Sequence, residues 1–363
     1  MPRTRTPRRD SDNDSDVIVI GAGPAGLAAA HHLGAAGLTV TVLEAAGTIG
    51  GRLATAHQDG FRLDRSSPIL PPGHPELARL PSPLPLRPLS GGVLLTGLPG
   101  RGRSGTPGAL RPLLALLRGE PEETAGPGGG VSLPAGGAAA LTSVLLHGER
   151  GRVRIRTGVR AESVATTAVV TREHGTFRCR AVVLATGARE AARLLPGVRV
   201  PEHRPATVLH HAAAVPPGAA PAVLVDGAAR GPLAYTLVAS AADPERAPSG
   251  RALVTSVALG PHACEPVDVL DKAARTQLTE LYDVPADDWE LLAAYHDPRA
   301  VPVTPRPFPG VRRTRLLDGL YVCGDHRDVP GLVGDLASAR RAAADLLADA
   351  GLRPRLPAGA AAG

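Results

Sequence analysis

The feature that most constrains this chain is a run near its start, Val17-Ile18-Val19-Ile20-Gly21-Ala22-Gly23-Pro24-Ala25-Gly26. Four consecutive β-branched apolar residues predict a strand buried on both faces, as in a parallel sheet. The Ala- and Leu-rich stretch 24–36, stopped by Gly37, predicts a helix, and 39–43 predicts a second strand that ends at Glu44. A GxGxxG pattern alone is weak evidence. Between a strand and a helix, with an acid at the end of the next strand, it specifies a βαβ dinucleotide site. Gly21 allows the tight turn, Gly23 lets backbone approach a pyrophosphate, and Gly26 lets helix and strand pack closely. Pro24 suits the first helical turn, where its missing N–H costs nothing. The free N–H groups there, with Ala25 among them, face the phosphates. Glu44 is placed to accept both hydroxyls of a ribose, and its charge disfavours a 2′-phosphate.

Beyond this unit the chain is long enough, at 363 residues, for two domains. Residues 71–130 are broken repeatedly by Pro and Gly, with one apolar patch over 110–117. The run Gly126-Pro127-Gly128-Gly129-Gly130 predicts a linker. Strands are expected at 153–155, 161–170 and 177–184, and a strand-rich block over 207–259. Helices are expected over 266–281 and 332–348, with a last apolar strand at 320–323 between them.

Composition excludes several classes. Net charge is +6, aromatics are 2%, and Lys272 is the sole lysine. No basic stripe interleaves with aromatics, so a nucleic-acid surface is not expected. Cys179, Cys264 and Cys323 are far apart, giving neither a zinc site nor a disulfide framework, and the expected setting is a reducing cytosol. No run suits a membrane span. Arg8-Arg9 precede acids rather than an apolar core, so they read as part of a polar tail and not as an export signal. No metal site is expected: His31-His32 do not share a helix face, and His210-His211 alternate faces on a strand.

Gly47-Thr48-Ile49-Gly50-Gly51-Arg52 follows Glu44 closely. Here the chain resembles the FAD-dependent amine oxidase and phytoene desaturase superfamily, whose βαβ unit continues into a Gly-Gly-Arg turn. The resemblance implies that Gly50 and Gly51 lie along the pyrophosphate and that Arg52 approaches the phosphates or flavin. It extends to Gly60-Phe61-Arg62-Leu63-Asp64, to Leu133-Pro134-Ala135-Gly136-Gly137, and to the strand and turn ending Ala185-Thr186-Gly187. Ala161 stands where backbone meets adenine. Asp318-Gly319-Leu320-Tyr321-Val322-Cys323-Gly324-Asp325-His326-Arg327 resembles the second FAD motif. That implies that Gly324-Asp325 contact the ribityl and phosphate region. The next helix, near Gly331 and Leu332, then points its N-terminus at the flavin.

The resemblance covers about half of the chain, mostly its two ends. It implies an α/β fold with a Rossmann-like FAD-binding domain, a parallel sheet plus β-meander, from 16–72, 131–195 and 301–351. A mixed α+β substrate domain, 73–130 and 196–300, is inserted, and 1–15 and 352–363 are expected to be disordered tails. The implied chemistry is hydride removal from a small or medium, fairly apolar substrate to flavin N5, with a separate electron acceptor. Lys272 falls on an expected surface helix, so the flavin-side lysine of many amine oxidases has no counterpart. No cage can be assembled from Phe61, Phe177, Phe308, Tyr235, Tyr282, Tyr295, Tyr321 and Trp289. Among His57, His74, His296 and His326, His326 is the acid–base candidate because it follows Gly-Asp. Three other readings stand beside this one: a redox-neutral flavin isomerase or cyclase, a non-catalytic FAD-binding relative with a trimmed substrate domain, and an NAD protein. Gly324-Asp325 argues against the last.

Overall fold

The structure is a computed structural model and describes residues 13–96, 113, 130–147, 151–217, 220–303, 305 and 309–352. The apolar run forms strand Val17–Ile20, every residue buried. It pairs in parallel with Val40–Leu43 on one side and Ala181–Leu184 on the other. Parallel neighbours extend the sheet outward, Val153–Arg156 beyond Val40–Leu43 and Leu320–Val322 beyond Ala181–Leu184. Arg315–Leu317 closes one edge antiparallel. The fingerprint helix Pro24–Ala35 and the C-terminal helix Leu332–Asp349 share one core on one face of this sheet. On the other face, Ile18, Ile20, Val182 and Leu184 pack against Phe177 and Val169 of a three-stranded antiparallel meander.

Two expected strands are each divided. The stretch 161–170 becomes Ala161–Ala165 and Ala168–Thr171, hairpin partners across a turn. The stretch 177–184 becomes Gly175–Arg178 in the meander and Ala181–Leu184 in the parallel sheet. Both stretches are apolar enough to read as continuous, and period alone does not show a change of sheet. Residues 13–15 of the expected tail 1–15 are tied to the fold. Arg178 donates to the Asn13 carbonyl at 3.1 Å, Ser15 donates to the Arg178 carbonyl at 3.2 Å, and Ser15 is buried. Residues 1–12, the 126–129 part of the linker and 353–363 lie outside the described residues, as does the 110–117 patch except Leu113.

The second unit is a six-stranded sheet. Its long strand His203–Ala213 lies between Glu290–Pro302 and Ala252–Leu259, both antiparallel to it. Leu233–Val238, Val223–Asp226 and Val93–Thr96 continue outward. Period-two alternation gives this sheet two apolar faces. Leu209, Ala213, Val254 and Ala258 meet Leu270, Ala274 and Leu278 of helix Val267–Tyr282. Val208, Ala212, Tyr235 and Val257 face the other way, toward Phe61, Leu63 and Leu133. Phe61 and Leu63 belong to hairpin Thr55–Gln58/Phe61–Asp64. The hairpin therefore packs with the second unit, although the expected boundary at 72 put it in the first. His210 and His211 do take opposite faces. His210 reaches the Asp64 carbonyl at 2.9 Å, and His211 reaches Asp271 at 2.7 Å.

Candidate functional site

The carboxyl ends of Val17–Ile20, Val40–Leu43 and Ala181–Leu184 open on a crevice of about 460 Å³. Gly21, Gly23, Pro24, Ala25, Glu44, Gly51, Arg52, Ala161, Thr186, Gly187, Gly324, Asp325 and His326 all border it. The sequence places these residues on four segments up to three hundred positions apart, and the fold brings them to one wall.

The glycines divide the work as the pattern predicts. A Cβ on Gly26 would stand 1.9 Å from the Gly21 carbonyl oxygen, so only glycine permits that helix–strand approach. A Cβ on Gly23 would meet nothing within 4 Å, which leaves open room over the helix N-terminus. Gly50 does not border the crevice; its N–H donates to the Ala22 carbonyl at 2.8 Å and its φ of 98° makes the turn. Glu44 stands at the strand end as expected. Its Oε2 accepts the Ala22 N–H at 2.7 Å and its Oε1 the Ala46 N–H at 2.8 Å. Each oxygen keeps a further lone pair for a ribose hydroxyl.

A second cavity, about 650 Å³, adjoins the first. Pro24, Gly51, Arg52, Asp297 and Asp335 border both. Its walls are mainly apolar, with Ile69, Val208, Val257, Leu259, Val301 and Leu332 among them, and Arg65, Ser66, Ser67 and His296 add polar groups. Gly331 and Leu332 border this second cavity and not the crevice. Tyr235 and Tyr295 also face it, the two aromatics that the sequence could not bring together. Tyr235 donates to the Ser67 carbonyl at 3.2 Å, which fixes its ring. Lys272 is exposed on Val267–Tyr282, across the sheet from this cavity.

The junction between the cavities is a charge network that sequence reasoning missed in part. Arg52 donates to Asp325 at 2.9 Å, to Asp335 at 3.2 Å and to the Ala300 carbonyl at 2.9 Å. Asp335 in turn accepts the Asp325 N–H at 2.8 Å. Asp325 holds the Arg52 guanidinium firmly in its charged form, with Asp335 adding to it. Burial, then Asp325, pushes the Asp335 carboxyl up to about 7 against the pull of Arg52. The available signal was a lone acid in the apolar run Gly331-Leu332-Val333-Gly334-Asp335-Leu336. Asp297 had no signal at all.

His326 opens on the crevice and not on the second cavity. Both its ring nitrogens lack partners, and burial lowers its pKa to about 4, with Arg327 and Arg312 adding and Asp325 opposing. His296 accepts or donates at 2.9 Å to Thr207, His74 caps helix Pro75–Ala78, and His57 is exposed. Among the described residues, no group of His, Cys, Asp or Glu is placed to hold a metal, and no helix is long and apolar enough to cross a membrane.

A dinucleotide such as FAD fits the crevice. Thr186 Oγ1 and both His326 nitrogens are buried without partners along it, and Gly23 keeps its floor open. Buried polar atoms left unpaired in a native fold call for a ligand or water to complete them.

A family profile described as flavin containing amine oxidoreductase matches residues 121–347, well over half of the chain. A second, described as an NAD(P)-binding Rossmann-like domain, matches 19–81. Putrescine oxidase of Kocuria rosea is 44% identical over 80 residues, 22% of this chain and 17% of that protein. Phytoene desaturase of Fusarium fujikuroi is 45% identical over 60 residues, 16% of this chain and 10% of that one. The chain thus matches less than a fifth of the length of these curated relatives. Among solved structures, an oxidoreductase from Methanosarcina mazei superposes with a TM-score of 0.70 at 17% identity, covering 90% of this chain and 99% of that one. Reduced UDP-galactopyranose mutase gives 0.70 at 13% identity, covering 92% and 96%. At such identities the structures share a fold, and the family rests on the profile. The chain belongs to the flavin containing amine oxidoreductase family, and its cofactor is FAD.

Proposed function

We propose that the chain is an oxidoreductase that removes a hydride from a small or medium, fairly apolar substrate held in the second cavity. The observation that carries this reading is the contiguity of the two cavities through Arg52, Asp297 and Asp335. FAD, when bound, supplies the hydride acceptor. The chain's share is positioning and electrostatics. Gly21, Gly23 and the helix N-terminus at Pro24 and Ala25 hold the pyrophosphate, and Glu44 holds the adenosine ribose. Ala161, Thr186 and Gly187 border the adenosine half, and Arg52 and Asp325 the ribityl half. Gly331 and Leu332 bring the C-terminal helix to the flavin. The apolar walls exclude water from the reacting carbon, and His326, the acid–base candidate of the sequence, opens on the cofactor crevice and not on this cavity. The second cavity, contiguous with the cofactor crevice, favours a working enzyme over a trimmed scaffold.

The test begins with the visible spectrum of the purified protein and the mass of any released cofactor. Anaerobic mixing with a panel of apolar amines, alcohols and polyenes then reads loss of flavin absorbance, and addition of an acceptor reads its return. A colourless protein that does not take up added FAD removes the reading. Conversion of a substrate only by pre-reduced flavin, with no acceptor consumed, assigns the isomerase or cyclase chemistry instead.

Glu44→Ala is expected to weaken FAD binding by about 1.5–3 kcal/mol, the worth of a charge-assisted acceptor. Titration of flavin-stripped protein with FAD measures it, and unchanged affinity sinks the ribose assignment.

A further inference from the structure

The junction of the two cavities holds more acid than base. Among the described residues, Arg52 is the one cation that borders both, and Asp297 and Asp335 border both with it. Asp325 joins them from the crevice side. Arg52 lies 2.9 Å from Asp325 and 3.2 Å from Asp335, whose side chains are 9% and 5% exposed. The two acids also meet each other, because Asp335 accepts the Asp325 N–H at 2.8 Å. Two carboxylates that share one buried site do not ionise alike; one of them holds a proton more readily. Asp335 is that one. It has the longer contact with Arg52, and burial and Asp325 push it up to about 7.

The other titratable groups around Asp335 are committed. Asp325 holds Arg52 charged, with Asp335 and Asp297 adding. Burial raises the Cys323 thiol, with Asp335 adding, so the thiol keeps its proton. His326, next to Asp325 in the chain, is lowered to about 4 by burial and stays neutral near pH 7. Asp297 accepts the Arg299 N–H at 2.8 Å and is only half-buried.

A hydride delivered to flavin N5 carries two electrons and one proton, so the ring gains one negative charge. Beside two buried carboxylates and one guanidinium such a charge is costly, and one proton taken up nearby cancels it. We propose that Asp335 takes up that proton when the flavin is reduced and releases it when the flavin is reoxidised. The substrate carbon gives two electrons and one hydrogen to N5, and the substrate gives up one further proton as its product forms. Asp335 also borders the substrate cavity, so that proton has a path to the carboxylate. The electron acceptor then removes two electrons and the N5 proton, and the Asp335 acid returns its own. The inference rests on the proposed hydride transfer for the source of the electrons. Uptake at Asp335 does not, since any reductant charges the ring alike.

The FAD-loaded protein is titrated electrochemically with mediator dyes, without substrate, from mild acid to mild alkali. The slope of midpoint potential against pH counts protons per electron pair. Below about 7 Asp335 already holds its proton in the oxidised protein, so the count is one. Above it, Asp335 is ionised before reduction and protonated after, so the count rises to two and the slope doubles. Protonation of flavin N1 does the reverse and adds its proton in acid. Asp335→Asn should keep the count at one above neutrality. Its amide still accepts the Asp325 N–H and Arg52 keeps Asp325, so the flavin spectrum should be retained. Infrared difference spectra of the wild type need no variant, and reduction should convert a carboxylate band into a carboxylic acid band. A wild-type count of one throughout overturns the proposal, as does a second proton confined to acid or one that survives in Asp335→Asn. A reduction spectrum without a new carboxylic acid band overturns it too. Failure of every substrate to reduce the flavin counts against the proposed function alone, because none of these measurements uses substrate.

Discussion

Arg246→Ala is expected to lower the free energy of unfolding by about 3–5 kcal/mol, the largest loss from any single side chain here. Arg246 is buried and spans three acceptors. It donates to Asp64 at 2.7 Å and to the Pro134 carbonyl at 2.8 Å, and its Nε lies 3.3 Å from Asp243. Both acids are buried and hold backbone in turn. Asp64 accepts the Thr55 hydroxyl at 2.6 Å and the Ala138 N–H at 2.8 Å, and Asp243 accepts the Gly136 N–H at 2.7 Å. The cluster therefore joins the hairpin Thr55–Gln58/Phe61–Asp64, the turn after Ser132–Pro134 and the loop before Ala252–Leu259. Removing the cation leaves Asp64 buried with no cation and Asp243 with only the exposed Arg87 3.6 Å away, which costs more than the pair itself contributes. Arg246→Lys should recover only part, because one ammonium cannot span three acceptors in a fixed fork. Arg251→Ala is the control. Its pair with Glu290 is exposed, so its loss should stay within about 1 kcal/mol. Denaturant midpoints decide it, and an Arg246→Ala loss no larger than the control would falsify the account.

Asp64, Pro134 and Gly136 lie in motifs that the sequence showed, but their joining through Arg246 and Asp243 was not legible there. Asp64 and Arg246 are 182 positions apart, and a pairing at that distance has no local signature. The nucleotide half was legible because its physics is local. Val17–Ile20 must be buried on both faces, and Gly26 must lack a Cβ 1.9 Å from a carbonyl. The strand Glu290–Pro302 was not expected. It is an edge strand, half-exposed along most of its length, and it carries Pro298 and Pro302. Edge strands tolerate proline and lose apolar alternation, so both usual signals are missing. The second cavity was hidden for a related reason. Its lining comes from four strands, the starts of two helices and the stretches 51–53 and 65–69, and neither Tyr235 nor Tyr295 carries a motif of its own. Where the sequence showed a motif, as at Gly324-Asp325, it located the residue but not its partner. The pairing of Asp325 with Arg52 appears only in the fold.

That pairing carries the second large effect. Arg52→Met is expected to destabilise the protein by about 2–3 kcal/mol above neutral pH, and by clearly less in mild acid. The figure is set below the range for a fully buried pair because the Arg52 side chain is 37% exposed. The pH dependence follows from Asp335. Its carboxyl is already pushed up to about 7 by burial and by Asp325, so the folded state holds a proton that the unfolded chain releases at ordinary carboxylate pH. A group raised in this way favours the fold at low pH, and its support is lost as pH rises toward the folded value. Arg52 opposes the shift, so its removal moves the Asp335 carboxyl higher still. In mild acid Asp335 is neutral with or without Arg52, and the variant loses mainly its contacts with Asp325 and the Ala300 carbonyl. Above about 7 the wild type ionises Asp335 beside a cation, whereas the variant must either keep the proton or hold two adjacent carboxylates in a buried site. The difference between the two proteins should therefore widen with pH. Asp335→Asn in the Arg52→Met background should close the gap, because the amide removes the second charge and still accepts the Asp325 N–H. Unfolding midpoints across this range measure both proteins. A destabilisation that stays constant with pH means that Arg52 acts by packing alone and that Asp335 is not the group it controls.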